Sequence, residues 1–278
     1  MSARIDAHVH LWDRATDPQD WIDPDTMSPI DRDFGSAELG EMLAATGMDR
    51  GIVVQASNSL EESARLARVD PAAAAGLVTW VDLSADVVSQ LDRIREHAAV
   101  PVVGARHLVH IDPDPEWLLR DDVGAGLAVL GKEGLGFDLV IRDWQLPQAV
   151  RLAQRHDELR LVLDHLGGPP PPGDDLEAWA IGLRRLAQHP NVVAKVSGLT
   201  SGLAPGAWSA GDLAGVVDIA VEAFGADRLL YGSDWPLAEL GGGAVAWRQA
   251  LETLLAGLSP TEQERIFGAN AAAAYLLF

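Results

Sequence analysis

Eight short runs rich in Val, Ile and Leu recur along the chain, at Arg4–Leu11, Gly51–Ser57, Gly76–Leu83, Val102–Val109, Gly136–Arg142, Arg160–Gly167, Val192–Leu199 and Arg228–Asp234. Stretches with helical spacing lie between them, among them Ser36–Thr46, Ser59–Val69, Asp86–His97, Pro147–His156, Leu176–Gln188 and Asp212–Phe224. Strands alternating with helices of about a dozen residues build βαβ units and a parallel sheet. Eight units in 278 residues predict a single closed (β/α)8 TIM barrel, whose usual size is roughly 250 residues. An open dinucleotide-binding sheet would carry a glycine-rich phosphate loop after its first strand. This chain has His8, Val9 and His10 there instead. No linker divides the chain, so residues 1–278 read as one domain. The segment from Gly168 to Gly173, with four prolines inside it, follows strand six directly and reads as a stiff loop.

Charge excludes several partners. There are 21 Lys+Arg against 41 Asp+Glu, a formal net charge of −20. Such a chain repels phosphate backbones and anionic lipid unless it carries a local basic patch. None is present, because the basic residues are scattered and only Lys132 and Lys195 are lysines. Nucleic acid and membrane surfaces are therefore excluded as partners. No apolar run approaches the roughly 20 residues of a membrane span. The start, Met1 to Arg4, runs straight into a strand and leaves no room for a signal peptide. A cytoplasmic location is expected. The absence of cysteine removes disulfides, thiolate zinc sites and a Cys nucleophile together.

Side chains alternate along a strand, and the face covered by helices must be apolar. In the first run Ile5, Ala7, Val9 and Leu11 then lie outside, with Asp6, His8 and His10 inside. In the fourth, Val103, Ala105 and Val109 lie outside, Arg106 points in and His107 points out. In the sixth, Leu161, Leu163 and His165 share one face and Asp164 takes the other. The C-terminal strand ends thus gather His10, Ser57, Asp82, Arg106, Arg142, His165, Lys195 and Asp234 into a polar mouth. Buried polar groups are costly unless paired, so a functional site explains this gathering better than packing does.

Two imidazoles two residues apart on a strand lie about 6.6 Å apart along it, a spacing one metal ion can bridge. His165 and the carboxylate of Asp234 would complete a nitrogen and oxygen site with His8 and His10, suited to one divalent metal such as zinc. Asp234 could equally take a proton from an attacking water. Arg106, Arg142 and Lys195 are candidates for binding substrate oxygens, or for pairing with Asp82, Asp138 or Asp234. Trp12, Trp21, Trp144 and Trp235 cluster near the mouth, where Trp12 and Trp235 in particular are candidate walls for a flat substrate face. Nothing in the sequence singles out His110.

The chain resembles the lactonase branch of the amidohydrolase superfamily, with its fuconolactonases, rhamnonolactonases and pyrone-dicarboxylate lactonase. The resemblance is carried by Ile5–Trp12, Val103–His107, Asp112–Leu119, Leu161–Gly167, Lys195–Leu199, Tyr231–Pro236 and Arg265–Asn270. It implies a barrel that hydrolyses a small-molecule lactone, most closely that of a sugar acid, to the hydroxy acid. It also implies metal-site positions at His8, His10, His165 and Asp234, with some members of the branch working without metal. Strand four has Arg106 and His107 where dinuclear relatives carry a carboxylated lysine, so one metal is expected rather than two. Gly168 stands where sugar-lactonase relatives often have Lys. In the mechanism this implies, Asp234 deprotonates water and then returns the proton to the ring oxygen. His165 and the other imidazoles, with or without metal, stabilise the oxyanion. Two alternatives are a metal-dependent decarboxylase of a carboxylated ring and a non-catalytic binding barrel. A monomer or a homodimer is expected.

Overall fold

In the computed structural model, which describes residues 3–17 and 19–277, eight parallel strands pair in sequence order. They are β1 (Ile5–Val9), β2 (Arg50–Val54), β3 (Ala74–Thr79), β4 (Val102–His107), β5 (Gly136–Leu139), β6 (Leu161–Leu163), β7 (Val192–Val196) and β8 (Leu229–Tyr231). The barrel closes where the Asp234 N–H donates to the His8 carbonyl at 2.9 Å and the His10 N–H to the Trp235 carbonyl at 2.7 Å. Met1 and Ser2, part of the expectation that no leader precedes β1, lie outside the described residues. No helix among the described residues is long and apolar enough to cross a membrane.

In the first half α1 (Ser36–Thr46), α2 (Leu60–Leu66) and α3 (Val87–Arg95) fall on stretches with helical spacing, and α4 (Asp121–Lys132), outside those stretches, follows β4. The second half adds α5 (Leu146–Arg155), α6 (Glu177–Ala187), α7 (Ala210–Phe224) and α8 (Ala244–Leu254), then two short helices, α9 (Pro260–Glu264) and α10 (Asn270–Ala274). The side-chain oxygens of Ser59 and Asp86 accept from the first-turn amides of α2 and α3, which fixes where these helices start. α4 presses Gly126 onto the backbone of Leu83, where an added Cβ would sit 2.2 Å from the Leu83 carbonyl oxygen. Gly126→Ala is expected to destabilise the protein by about 1–3 kcal/mol, measured by urea unfolding, because α4 must move off its seat.

Packing has two layers. Val53, Leu77, Ala105, Leu161, Leu163, Val192 and Val196 face the helices. Ile5, Ala7, Ile52, Val54, Val78, Val103, Val162 and Leu230 form a separate cluster, and residues of six different strands can meet only inside the barrel. Ala271, Ala274 and Tyr275 join it and plug the end opposite the mouth. This corrects the simple alternation. Ile5, Ala7 and Val103 point in rather than out, because the pairing register slips between Asp6 and Val9 and again between Leu77 and Val78. Above the first slip Val9 faces the helices as expected. Asp6 does not turn toward the mouth. Its carboxylate accepts the N–H groups of His8 at 3.1 Å and Ser233 at 2.9 Å, stapling β1 to the end of β8.

Candidate active site

Strand ends build the floor of the site. His8 and His10 come from the end of β1, Asp234 follows β8 and His165 follows β6. The Nδ1–H of His10 donates to the Val54 carbonyl at 2.7 Å, which leaves its Nε2 a free lone pair. That Nε2 lies 3.0 Å from the Nε2 of His8, and the two rings meet edge to face. The Oδ1 of Asp234 is 3.6 Å from each of these nitrogens and 3.9 Å from the Nε2 of His165. It is buried and accepts no hydrogen bond. Backbone turns aim these groups. His165, Leu166 and Asp234 occupy the left-handed region, at φ 52°, 53° and 60°. The turn at His165 overrides strand alternation and swings the ring to within 4.6 Å of His8, so His165 and Asp164 serve the same site instead of opposite faces.

The donor set fits a metal. Four ligand atoms at about 2.0–2.1 Å in a tetrahedron would stand roughly 3.3 Å from one another. Here the Nε2 atoms of His8 and His10 and the orphaned Oδ1 of Asp234 stand 3.0–3.6 Å apart, and the Nε2 of His165 comes within 3.9 Å of that oxygen. Burial keeps both His8 and His10 below the usual imidazole range, in the neutral form a metal requires. His8, Asp164 and His165 also converge, but Arg106 and Lys195 already engage that Asp.

A buried ionic cluster lies beneath. Arg106 meets Asp164 at 2.8 Å, and Lys195 meets Asp164 at 2.9 Å as well as Asp138. The Tyr275 hydroxyl donates to Asp138 at 2.8 Å from the plugged end. Burial works to raise Asp164, but Lys195, His8 and Arg106 together hold it well below the usual carboxylate range. Burial lifts Asp138 to about 6 against the pull of Lys195. The Nζ of Lys195 reaches the Nδ1 of His8 at 3.0 Å.

Above the floor opens a cavity of about 600 Å³. Of the candidate residues, His10, Arg106, Arg142, His165 and Asp234 line it. Lys195 does not; it has no exposed surface and lies under His8. Trp12 and Trp235 are also buried away from the cavity, each edge-on to Phe34, and Trp21 takes the lining position instead. Arg142 has no ion-pair partner among the described residues and is exposed at the rim. Ser57 and Asp82 stay outside, and Asp82 accepts from Ser84 instead. His107 is structural, stacked on Trp117 at 3.9 Å and bonded to Asp112 at 2.7 Å. Sequence reading missed His110, which lines the cavity from the turn Val109–Ile111 with a buried Nδ1 that has no partner. Burial, with the charges of Arg106 and Arg142, pushes it down to about 3, so it is neutral. The one available signal was an imidazole between apolar Val109 and Ile111.

Glu62 was missed as well. Buried under the end of β2, it accepts the N–H groups of Ala56 and Ser57, both at 2.9 Å, and so holds the wall beside His10. Burial, with Asp17 nearby, raises it to about 7 from an ordinary 4.5. The folded protein then binds more protons than the unfolded chain between about pH 4.5 and 7, so this group's contribution falls as pH rises through that window. In urea unfolding, the stability of the wild type relative to Glu62→Gln is expected to decline by up to about 3 kcal/mol between pH 4.5 and pH 8. A constant difference would refute the shift.

An amidohydrolase family model matches residues 5–277. The L-fucono-1,5-lactonase of Burkholderia ambifaria is 34% identical over 284 residues, spanning 98% of this chain and 94% of that relative. The L-fucono-1,5-lactonase of Burkholderia multivorans is 32% identical over 290 residues, spanning 99% and 96%. A solved amidohydrolase from Burkholderia multivorans with bound zinc superposes with a TM-score of 0.90 at 32% identity, with 100% of both chains covered. With its barrel order, its paired histidines on β1 and this match along nearly its whole length, the chain belongs to the amidohydrolase family.

Proposed function

We propose that this chain, acting as one catalytic domain, hydrolyses a lactone to its hydroxy acid, with the sugar-acid lactones of the similar enzymes as the reference ring. The observation that carries the reading is the unpaired, buried Oδ1 of Asp234 among three imidazole nitrogens at the floor of an open cavity. Asp234 is a base that opens onto the cavity, where an attacking water would stand. It takes a proton from that water as the oxygen attacks the lactone carbonyl. It then returns the proton to the ring oxygen as the ring C–O bond breaks. His8, His10, His165 and Asp234 would hold one divalent metal, zinc by the match of three nitrogen donors and one carboxylate, and it would polarise the carbonyl. Arg106 holds its position through Asp164 and Gln55 and presents its guanidinium to the cavity floor. Arg142 at the rim is available to substrate oxygens remote from the reacting carbonyl.

A pH-indicator assay with L-fucono-1,5-lactone and related ring lactones tests this directly. Acid release is the expected result; no lactone opened, with carbon dioxide released from an aromatic carboxylate offered in parallel, would identify a decarboxylase instead. Metal analysis of the purified protein is expected to find about one zinc per chain, lost in His8→Ala and His10→Ala. Equal metal content in those variants would rule out the ligand set.

A further inference from the structure

The cavity has two tiers of opposite character. Its floor, made by strand ends, carries His10, Arg106, His165 and Asp234. Its walls, made by loops and α7, carry Trp21, Met27, Leu203, Leu213, Leu240 and the prolines at 169–172. The hydroxyl of Ser201, the one hydroxyl side chain lining the cavity among the described residues, donates to the Gly198 carbonyl at 3.0 Å and is left only as an acceptor. Apart from Arg142 at the rim and the acceptor oxygen of Ser201, His110 is the polar side chain left for a ligand above the floor among the described residues. A small oxygenated ring seated on the floor leaves much of the 600 Å³ unfilled, since pockets of roughly 300–1,000 Å³ enclose drug-sized ligands. Most hydroxyl groups pressed against this wall would lose water and find few partners. Alkyl or aryl carbon would gain from the same burial.

We infer that the lactone ring of the natural substrate carries an apolar substituent, an alkyl chain or an aryl group, seated against the proline and leucine wall. The inference rests on the lactonase reading and adds the chemistry of the part of the substrate that does not react. The six-membered ring takes the floor, with its carbonyl toward Asp234, and the substituent rises between the loops after β1, β6, β7 and β8.

The test compares kcat/KM for δ-valerolactone, δ-hexalactone, δ-octalactone and δ-decalactone, with D-glucono-1,5-lactone and L-fucono-1,5-lactone as polar references. The expected result is a rise of about fourfold for each methylene buried, until the wall ends. Turnover with no dependence on chain length, or with the polyhydroxylated lactones preferred, overturns the inference while leaving the hydrolase reading intact. If no lactone is opened, the hydrolase reading fails, and the wall is read by calorimetric titration with δ-lactams bearing the same alkyl chains. Affinity that climbs with chain length supports an apolar subsite there, and affinity that does not climb overturns it.

Discussion

Replacing Asp234 with Asn is expected to lower lactone turnover by about 10³–10⁴-fold, near the upper end of what one general base contributes. The change is close to isosteric, and its backbone requirements are met. The amide that closes the barrel onto the His8 carbonyl is main chain, and Asn tolerates the left-handed φ of 60° at this position. Chemistry is lost because a carboxamide cannot accept the proton of water. Its NH2 group, if turned toward the floor, would also face the His8 and His10 nitrogens 3.6 Å away. Turnover at saturating lactone, followed by pH indicator, reads the loss, and an unchanged melting temperature shows that the fold is kept. If the Asp234→Asn variant works at wild-type rate, the attacking water is activated elsewhere.

Lys195→Met is expected to have the largest effect on stability, about 3–5 kcal/mol, as when one partner of a buried ion pair is removed. Asp138 and Asp164 are both fully buried and share this lysine, and its removal leaves two carboxylates facing each other, Asp164 with Arg106 and His8 and Asp138 with the Tyr275 hydroxyl alone. At 2–4 °C per kcal/mol for a chain of this size class, the melting temperature should fall by on the order of 10 °C. A second change separates charge from packing. Asp138→Asn in the Lys195→Met background removes one of the two stranded charges and is expected to recover part of the loss. If the double variant is no more stable than the single one, the cost lies in the lost packing of the lysine stem.

Much of the fold was legible in the sequence because the βα alternation is coarse. A strand placed a residue or two wrong still lies between the same helices, and α1 falls on its predicted residues, Ser36–Thr46. The site was legible where chemistry is rare. Imidazoles at His8 and His10 on a first strand have few other uses, and Asp234 stands with them at 3.6 Å. Orientation was less legible, since a register slip moves side chains across the sheet, as at Ile5, Ala7 and Val103. A left-handed turn did the same at His165. Depth was not legible at all. Alternation correctly turned Lys195 inward, but it could not tell a residue facing substrate from one sealed beneath a histidine. His110 escaped because the turn that carries it has no strand or helix period.

The hydroxyl of Tyr275 on the carboxylate of Asp138 also bears on when this protein can fold. Asp138 enters the chain on β5, its lysine partner arrives 57 residues later and its tyrosine partner 137 residues later. During synthesis a half-made barrel would have to bury a carboxylate whose counter-charge is still unmade. The early strands are thereby discouraged from sealing their interior before the later ones emerge, so the order of translation and the order of charge compensation both favour closure as a single late event.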